Sequence, residues 1–268
     1  MKQSLITIAG TFFIMYLIYM ILAYSFQNSA IFPGQHIDTY PLENTKRFYP
    51  QIKSDFVEFD NNKCEYWYIG EGNDCLLIYA HGNFSLLDHL PDRLYALNKM
   101  GIDILAVEFP GYGRSEGKPT DNSIRKANLT AFKQLPYKYK KIVGYGRSLG
   151  GGIILDLSDT IDFDALILES TFADLRKMAY GFFLPPFIIT SDYDNVGKIA
   201  DYTKPVLIFH GKPDKTAPYS NAELLHNAAK NSELISYNSG HEEGPDNLEK
   251  HYETIKQFLI NNHLLKNE

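Results

Sequence analysis

The sequence predicts an α/β fold with a mostly parallel sheet, preceded by a long apolar helix. From residue 54 onward, short runs rich in Val, Ile and Leu alternate with helix-like segments. Such near-continuous apolar strands are typical of a parallel sheet that helices cover on both faces. The third observation is the uncharged, apolar stretch 5–26. The 268 residues are enough for one sizeable domain together with such a helix.

The first predicted element is the apolar stretch 5–26. As a helix it spans roughly 33 Å, against a bilayer core of about 30 Å. A cleaved signal peptide has a shorter apolar core, and a buried core helix usually has a polar face. We favour an uncleaved single-pass membrane anchor over residues 1–26, with both other interpretations open. Lys2 precedes the stretch, and residues 25–45 contain no Lys or Arg. The positive-inside rule therefore predicts a cytoplasmic N-terminus and an extracytoplasmic main domain.

The second predicted element is a linker over residues 27–53, which contain three prolines and no clear period. Residues 54–268 are assigned to one catalytic domain with eight strands. The first two strands, 54–59 and 64–70, flank a polar turn and form a hairpin. The other six are predicted at 75–80, 103–109, 141–146, 164–170, 205–211 and 233–239. Helices are predicted near 91–100, 121–135, 149–158, 174–182, 219–230 and 246–260.

Composition limits the partners of this domain. The net charge is −6 and Lys and Arg form no run, so we expect no nucleic-acid partner. Cys64 and Cys75 are too few for a disulfide framework and lie in apolar runs. We expect them to be small buried side chains, with a disulfide as the alternative. We expect no metal and no organic cofactor.

Two similar heptapeptides contain the pattern G-x-S-x-G, GYGRSEG at 111–117 and GYGRSLG at 144–150. The pattern is typical of a nucleophile elbow, a sharp strand-to-helix turn that exposes a serine. Ser148 follows a predicted strand, and LGGGIIL after it can start a helix. Ser115 is followed by Glu-Gly-Lys-Pro, which cannot continue a helix. We therefore predict that Ser148 is the nucleophile and that Ser115 lies in a loop.

A serine nucleophile needs a base, usually a histidine that a carboxylate orients. With an elbow, the chain order is serine, acid, histidine. Among the histidines after Asp214, His241 alone follows a strand end, in a loop with glycines. Asp214 follows the strand 205–211 and is our predicted acid. Glu169, at the end of another strand, is the alternative acid.

The negative charge that develops on a substrate oxygen needs preorganised N–H donors. One donor should be the backbone N–H of Leu149, because it follows the nucleophile. The other should come from the loop after the third predicted strand. We choose the backbone N–H of Asn83, with Phe84 as the alternative, and expect a structural role for His81.

With these motifs the chain resembles the α/β-hydrolase superfamily from about residue 54 to its end. The motifs AHGN, FPGYGRSEGKPT, GYGRSLGGG, ILESTF, PVLIFHGKPDKTAP and SGH stand in the order typical of that superfamily. The resemblance is strongest to compact, often membrane-anchored serine hydrolases related to protein depalmitoylases. It implies an eight-stranded α/β-hydrolase sheet, esterase, thioesterase or peptidase activity, and a catalytic triad of Ser148, Asp214 and His241. It also implies a structural role for Ser115.

The substrate prediction depends on the insertion 171–204 between the sixth and seventh strands. Its apolar part 180–189, YGFFLPPFII, can line an acyl pocket or face a membrane, or simply pack beside the sheet. Together with the anchor it suggests a small-molecule or acylated substrate, an ester or thioester close to a membrane. A serine peptidase and a non-catalytic, membrane-tethered binding module are the alternatives.

Overall fold

The structure, a computed structural model, describes residues 2–266 and centres on one eight-stranded sheet. The strands are β1 (Lys53–Phe59), β2 (Asn62–Ile69), β3 (Cys75–Ala80), β4 (Asp103–Val107), β5 (Lys141–Arg147), β6 (Ala165–Glu169), β7 (Val206–Gly211) and β8 (Ser232–Tyr237). Their order across the sheet is β1-β2-β4-β3-β5-β6-β7-β8. β2 pairs antiparallel with β1 and β4, and all other pairs are parallel. The predicted mostly parallel sheet of eight strands is confirmed.

Helices cover both faces of the sheet. The α-helices of the described residues are α1 (Lys2–Ile31), α2 (Leu42–Phe48), α3 (Pro91–Asn98), α4 (Asp121–Lys133), α5 (Leu149–Leu157), α6 (Leu175–Met178), α7 (Asn195–Asp201), α8 (Ser220–Ala228) and α9 (Leu248–Asn261). The helix predicted at 174–182 is in fact α6 followed by a 3₁₀ turn, Ala179–Phe182. The short helices α2 and α7 were not predicted, because seven residues hold too few turns to show a helical period.

Each face of the sheet packs into its own hydrophobic core. Along β3, Leu76 and Ile78 point into one core and Leu77 and Tyr79 into the other, as the two-residue period of a strand requires. Side chains of α4, α5, α7 and α8 complete the first core, and those of α3 and α9 complete the second. Fully burying one such apolar side chain contributes roughly 1.5–3 kcal/mol. The two cores therefore hold the sheet in place. Because its central strands are parallel, the loops after their carboxyl ends lie along one edge of the sheet.

The two cysteines lie within these cores. Both are free and buried, Cys64 in the first core and Cys75 in the second. Burial raises the pKa of each thiol to about 12. The prediction of small buried side chains is confirmed.

The N-terminal helix α1 is long and apolar enough to cross a membrane. Its most apolar 18 residues have a mean hydropathy of 2.3 and remain accessible on the surface of the described chain. The helix continues past the predicted boundary at Phe26 and ends at Ile31. The next residue, Phe32, is buried in the first core, and a side chain at Gly34 would overlap the ring of Tyr112. The segment after α1 therefore packs against the domain.

Candidate active site

Ser148 occupies a strained turn between β5 and α5. Its φ of 53° and ψ of −118° lie in a region that residues other than glycine rarely adopt. Such strain costs roughly 1–3 kcal/mol and persists only where close packing enforces it. A Cβ at Gly146 would overlap the backbone of Gly150, and one at Gly150 would overlap the carbonyl oxygen of Ala80. The glycines therefore let α5 begin directly over the sheet and turn the Ser148 side chain outward.

The structure brings Ser148, His241 and Asp214 together in one hydrogen-bonded chain. His241 Nε2 lies 3.0 Å from Ser148 Oγ, and His241 Nδ1 lies 2.7 Å from Asp214 Oδ2. Asp214 follows β7 and His241 follows β8, so both lie at the edge where β5 ends. Asp214 and His241 are buried, and Ser148 is half-buried. In this arrangement Nε2 can take the serine proton while the carboxylate holds Nδ1–H.

The Asp214 carboxyl group is held as an anion. Burial raises its pKa, but hydrogen bonds from His210 and His241 outweigh burial and keep the pKa below the ordinary value of an aspartate. Backbone N–H groups of Thr216 and Ala217 donate to Asp214 Oδ1 at 2.9 and 2.8 Å. His210 Nε2 lies 3.3 Å from Asp214 Oδ2, beside its closer partner, the Ala217 carbonyl oxygen at 2.7 Å. A charged Asp214 favours the His241 tautomer whose Nε2 is free to accept a proton.

Glu169, the alternative acid, has other partners. Its carboxylate is fully buried, lies 2.5 Å from Arg93 Nη1 and 3.3 Å from Arg147 Nε, and accepts a hydrogen bond from Tyr145 Oη at 2.5 Å. Burial raises its pKa, but the charges of Arg93, His251 and Arg147 and the hydrogen bond from Arg93 together outweigh burial and lower the pKa to about 2. Its backbone oxygen accepts the N–H of Ser148 at 2.8 Å. Glu169 therefore supports the elbow, and Asp214 orients the histidine.

Arg147 is a site residue that sequence reasoning missed. It pairs with Glu169 in the register of β5 and β6, and its Nη2 donates to the backbone oxygen of His241 at 2.5 Å. This side chain thus connects the elbow to the histidine loop. The only signal in the sequence was its position next to Ser148, because the loop that a long side chain reaches depends on the strand order.

The two predicted N–H donors lie beside Ser148. Leu149 is the first residue of α5, where backbone N–H groups have no partner within the helix and carry its partial positive charge. Asn83 and Leu149 line the same cavity as Ser148. A Cβ on Gly82, next to Asn83, would lie 3.5 Å from the Ser148 Cβ. Both residues therefore border the space beside Ser148, and their N–H groups remain the predicted donors.

The Asn83 loop is fixed from two sides. Asn83 Nδ2 donates to the carbonyl oxygen of Ile31 at 3.0 Å, and the Asn83 carbonyl oxygen accepts from Tyr112 Oη at 2.8 Å. Phe84, the alternative donor, is 64% exposed and lines a separate, polar pocket. His81 Nε2 lies 2.9 Å from a carboxylate oxygen of Glu108 behind the loop. These contacts favour Asn83 as the second donor and a structural place for His81.

Ser115 lies in the loop after β4, as predicted. Its hydroxyl oxygen is buried, accepts the backbone N–H of Glu65 at 3.0 Å and lies 3.5 Å from Cys64 Sγ. Both partners belong to β2, so the hydroxyl ties this loop to the antiparallel side of the sheet.

A cavity of about 460 Å³ opens beside Ser148. This volume is typical of small-molecule sites, about 300–1,000 Å³. The predicted apolar insertion contributes Phe182, Leu184 and Ile189 to its lining. The N-terminal helix α1 forms another part of the lining, which the sequence did not predict. Among residues 2–266, no group of three or more His, Cys, Asp and Glu side chains could hold a metal ion, so no metal ligands can be named.

Solved structures share this architecture. An alpha-beta hydrolase from Vibrio vulnificus superposes with a TM-score of 0.70, at 18% identity, over 87% of this chain and 92% of that chain. Est1E from Butyrivibrio proteoclasticus, solved with ferulic acid bound, superposes with a TM-score of 0.66, at 23% identity, over 78% of this chain and 99% of that chain. The chain has the α/β-hydrolase fold.

Sequence relatives of this α/β-hydrolase fold are distant. Alpha/beta hydrolase domain-containing protein 17B of Homo sapiens is 27% identical over 154 residues, 56% of this chain and 53% of the relative. The uncharacterized protein YfhR of Escherichia coli K12 is 26% identical over 199 residues, 66% of this chain and 67% of the relative. The chain thus matches about half the length of the human protein. No protein-family model matches the chain.

Proposed function

We propose that the chain is a serine hydrolase that cleaves a carboxylic ester or thioester through an acyl-enzyme on Ser148. The observation that carries the proposal is the hydrogen-bonded chain from Asp214 through His241 to Ser148, at the mouth of an apolar cavity. The esterase Pf2001 of Pyrococcus furiosus has the same fold, with a TM-score of 0.66, and supports an ester as the substrate.

The first half of the proposed reaction forms the acyl-enzyme. Ser148 Oγ attacks the carbonyl carbon while His241 Nε2 accepts the serine proton, and Asp214 stabilises the resulting imidazolium. The N–H groups of Leu149 and Asn83 donate to the oxyanion of the tetrahedral intermediate. The C–O or C–S bond then breaks, and His241 passes its proton to the leaving alcohol or thiol.

The second half of the reaction frees the enzyme. His241 removes a proton from a water molecule, whose oxygen attacks the acyl carbon on Ser148. The same two N–H groups hold the second oxyanion. When it collapses, the bond to Ser148 Oγ breaks, His241 returns the proton to Oγ, and the carboxylic acid leaves. Every proton transfer uses a side chain of this chain, and we propose no cofactor.

We further propose that residues 1–26 anchor the enzyme in a membrane, with the N-terminus cytoplasmic and the catalytic domain, residues 54–268, outside. The length and hydropathy of α1 support the anchor, and Lys2 on the short side supports the orientation. Residues 27–53 connect the two parts. A relation to membrane-anchored depalmitoylases remains part of this proposal.

Activity-based labelling tests the function. A fluorophosphonate probe should label the full-length wild type and Ser115→Ala, and should not label Ser148→Ala. Circular dichroism of each variant verifies that it is folded. Absence of labelling in folded wild type would instead favour a non-catalytic binding module. A panel of esters, thioesters and peptide amides then separates an esterase or thioesterase from a serine peptidase of the same fold.

A further inference from the structure

The C-terminal half of α1 is bound to the catalytic domain by polar contacts. Gln27 is buried, its Nε2 donates to the carbonyl oxygen of Ile188 at 3.0 Å, and its Oε1 accepts the N–H of Thr190 at 2.7 Å. At the end of the helix, the Ile31 carbonyl oxygen accepts the side-chain amide of Asn83 in the oxyanion loop. The helix is therefore seated directly beside the reactive residues.

Two tyrosines extend this contact toward the middle of the helix. Tyr16 Oη donates to the carbonyl oxygen of Phe183 at 2.9 Å, and Tyr19 Oη donates to that of Phe182 at 2.8 Å. A tyrosine hydroxyl in an apolar helix needs a partner once the helix lies in lipid. Phe182 ends the 3₁₀ turn of the insertion and Phe183 follows it, so α1 and the insertion form one surface.

One face of α1 forms a wall of the cavity beside Ser148. The residues of this face recur at intervals of one, three and four, as expected for one side of a helix. They are Tyr19, Ala23, Phe26, Gln27, Ala30 and Ile31. The polar atoms of Gln27 are bonded to the insertion, and Ala23 and Ala30 leave space for an occupant. Among the described residues that line the cavity none is Asp, Glu, Lys or Arg, so the space suits an uncharged, apolar group.

The rim of the cavity is aromatic and exposed. The exposed fractions of Tyr180, Phe182, Phe183 and Phe187 are 65%, 65%, 85% and 78%. Tyr16, which contacts this rim, lies roughly 15 Å along the helix axis from Phe26, the end of the apolar stretch. An apolar stretch that spans the hydrocarbon would therefore carry the rim into the bilayer with it. Exposed aromatic side chains are favourable there and costly in water.

We propose that α1 is a wall of the acyl-binding site as well as an anchor. The substrate is a long-chain acyl ester or thioester whose chain enters from the bilayer between α1 and residues 179–189. The alkyl chain occupies the apolar cavity, with its carbonyl carbon at Ser148 Oγ. This assignment rests on the proposed hydrolase function and adds the substrate class and the route of entry.

The role of α1 as a wall is tested by measuring kcat/KM for esters of different acyl-chain length, with the full-length protein in lipid nanodiscs. Ala23→Phe fills the cavity from α1, and Ile21→Phe, with Ile21 64% exposed and absent from the lining, is the matched control. We expect Ala23→Phe to lower the ratio of kcat/KM for hexadecanoyl over butanoyl esters by roughly tenfold or more, since one methylene in a pocket changes kcat/KM by about 10–200-fold. Ile21→Phe should keep the wild-type ratio. An unchanged ratio in Ala23→Phe, with active wild type, overturns the inference and leaves the proposed function intact.

Photocrosslinking of the wild type gives a second measurement, which does not depend on whether a variant folds. In a fluorophosphonate with a long alkyl chain, Ser148 Oγ bonds to phosphorus, fluoride leaves, and the serine proton passes to His241. A diazirine at the end of the chain then reacts with its nearest neighbour on illumination. Crosslinks to residues 16–31 support the inference, and crosslinks exclusively to other segments contradict it. Wild type that neither takes the probe nor hydrolyses any ester removes the proposed function itself.

Discussion

The heptapeptides 111–117 and 144–150 differ at one position, yet their backbones are unlike. In the second, the residues before Ser148 belong to β5, and the positive φ falls on the serine itself. In the first, positive φ values of 77°, 53° and 93° fall on Gly111, Gly113 and Gly117. In 111–117 the glycines themselves adopt the positive φ values, which cost them little. In 144–150 the glycines lack a side chain and so permit close packing, and this packing holds Ser148 at a positive φ. The same residue pattern therefore makes a loop in one place and an elbow in the other.

The equivalent side chains also reach different parts of the molecule. Arg147 connects Glu169 to the His241 loop, whereas Arg114 donates to Glu65 and to Asp88. The arginine in each copy connects a strand to a neighbouring segment, but only Arg147 reaches the loop of the histidine beside Ser148. The comparison teaches that the role of a motif depends on the elements that surround it.

The largest expected effect separates the two serines. Ser148→Ala should lower kcat by on the order of 10⁵–10⁶-fold, since removing the nucleophile of a serine hydrolase has an effect of this size. Ser115→Ala should keep kcat and lower the free energy of unfolding by about 1–3 kcal/mol, because the buried N–H of Glu65 loses its acceptor. Ester hydrolysis and urea unfolding of both variants measure the difference. Equal kcat losses would show that the two copies are not functionally distinct.

The next effect concerns the last glycine of each copy. Gly150→Ala should lower the free energy of unfolding by about 3 kcal/mol or more, because the new Cβ overlaps the Ala80 carbonyl. Gly117→Ala should lower it by only about 1–2 kcal/mol, the cost of a positive φ in a loop. Denaturant unfolding ranks the two variants, and the reverse ranking would contradict the packing explanation.

The free energy of unfolding should depend on pH through His251, whose Nε2 lies 3.0 Å from Tyr145 Oη and 3.8 Å from Glu169 Oε2. Burial lowers the pKa of His251 to about 4 from an ordinary 6.5, although nearby Glu169 raises it. The unfolded chain therefore binds more protons between these values, and the free energy of unfolding should fall as pH falls from 6.5 toward 4. The loss attributable to His251 is roughly 3 kcal/mol at 1.36 kcal/mol per pKa unit.

The variant His251→Gln isolates this contribution. Its free energy of unfolding should depend less on pH than that of the wild type between pH 6.5 and 4.5. Below that window, Glu169 adds its own loss of stability as it protonates, because its folded pKa of about 2 lies below its ordinary 4.5. Parallel pH curves for the two proteins would exclude His251 as the source.

The smallest effect distinguishes the two arginines. Arg147→Ala should lower kcat roughly tenfold, because the His241 loop loses a tether and small misplacements of a catalytic group slow a reaction. Arg114→Ala should change kcat by less than about twofold, since its ion pairs are with Glu65 of β2 and with Asp88 instead of the His241 loop. Hydrolysis rates at saturating substrate measure both, and a matching loss in Arg114→Ala would refute the distinction.

The sequence alone determined the eight strands in chain order, the mostly parallel sheet and the residues that stand at its strand ends. These features depend on short apolar runs and on local backbone chemistry, as in the Gly-rich start of α5. The structure places Ser148, Asp214 and His241 within hydrogen-bond reach, as their positions after β5, β7 and β8 led us to expect. Their catalytic roles stay a proposal.

Only the tertiary structure decided between Asp214 and its alternative Glu169, which segments Arg147 connects, and that α1 forms a wall of the cavity. Asp214, the predicted acid, follows β7, and Glu169, its alternative, ends β6. In the structure Asp214 pairs with His241, whereas Glu169 pairs with Arg93. Contacts such as that between Gln27 and Ile188 join residues far apart in the chain. Their existence depends on how the sheet and helices pack in space, and no local pattern contains that information.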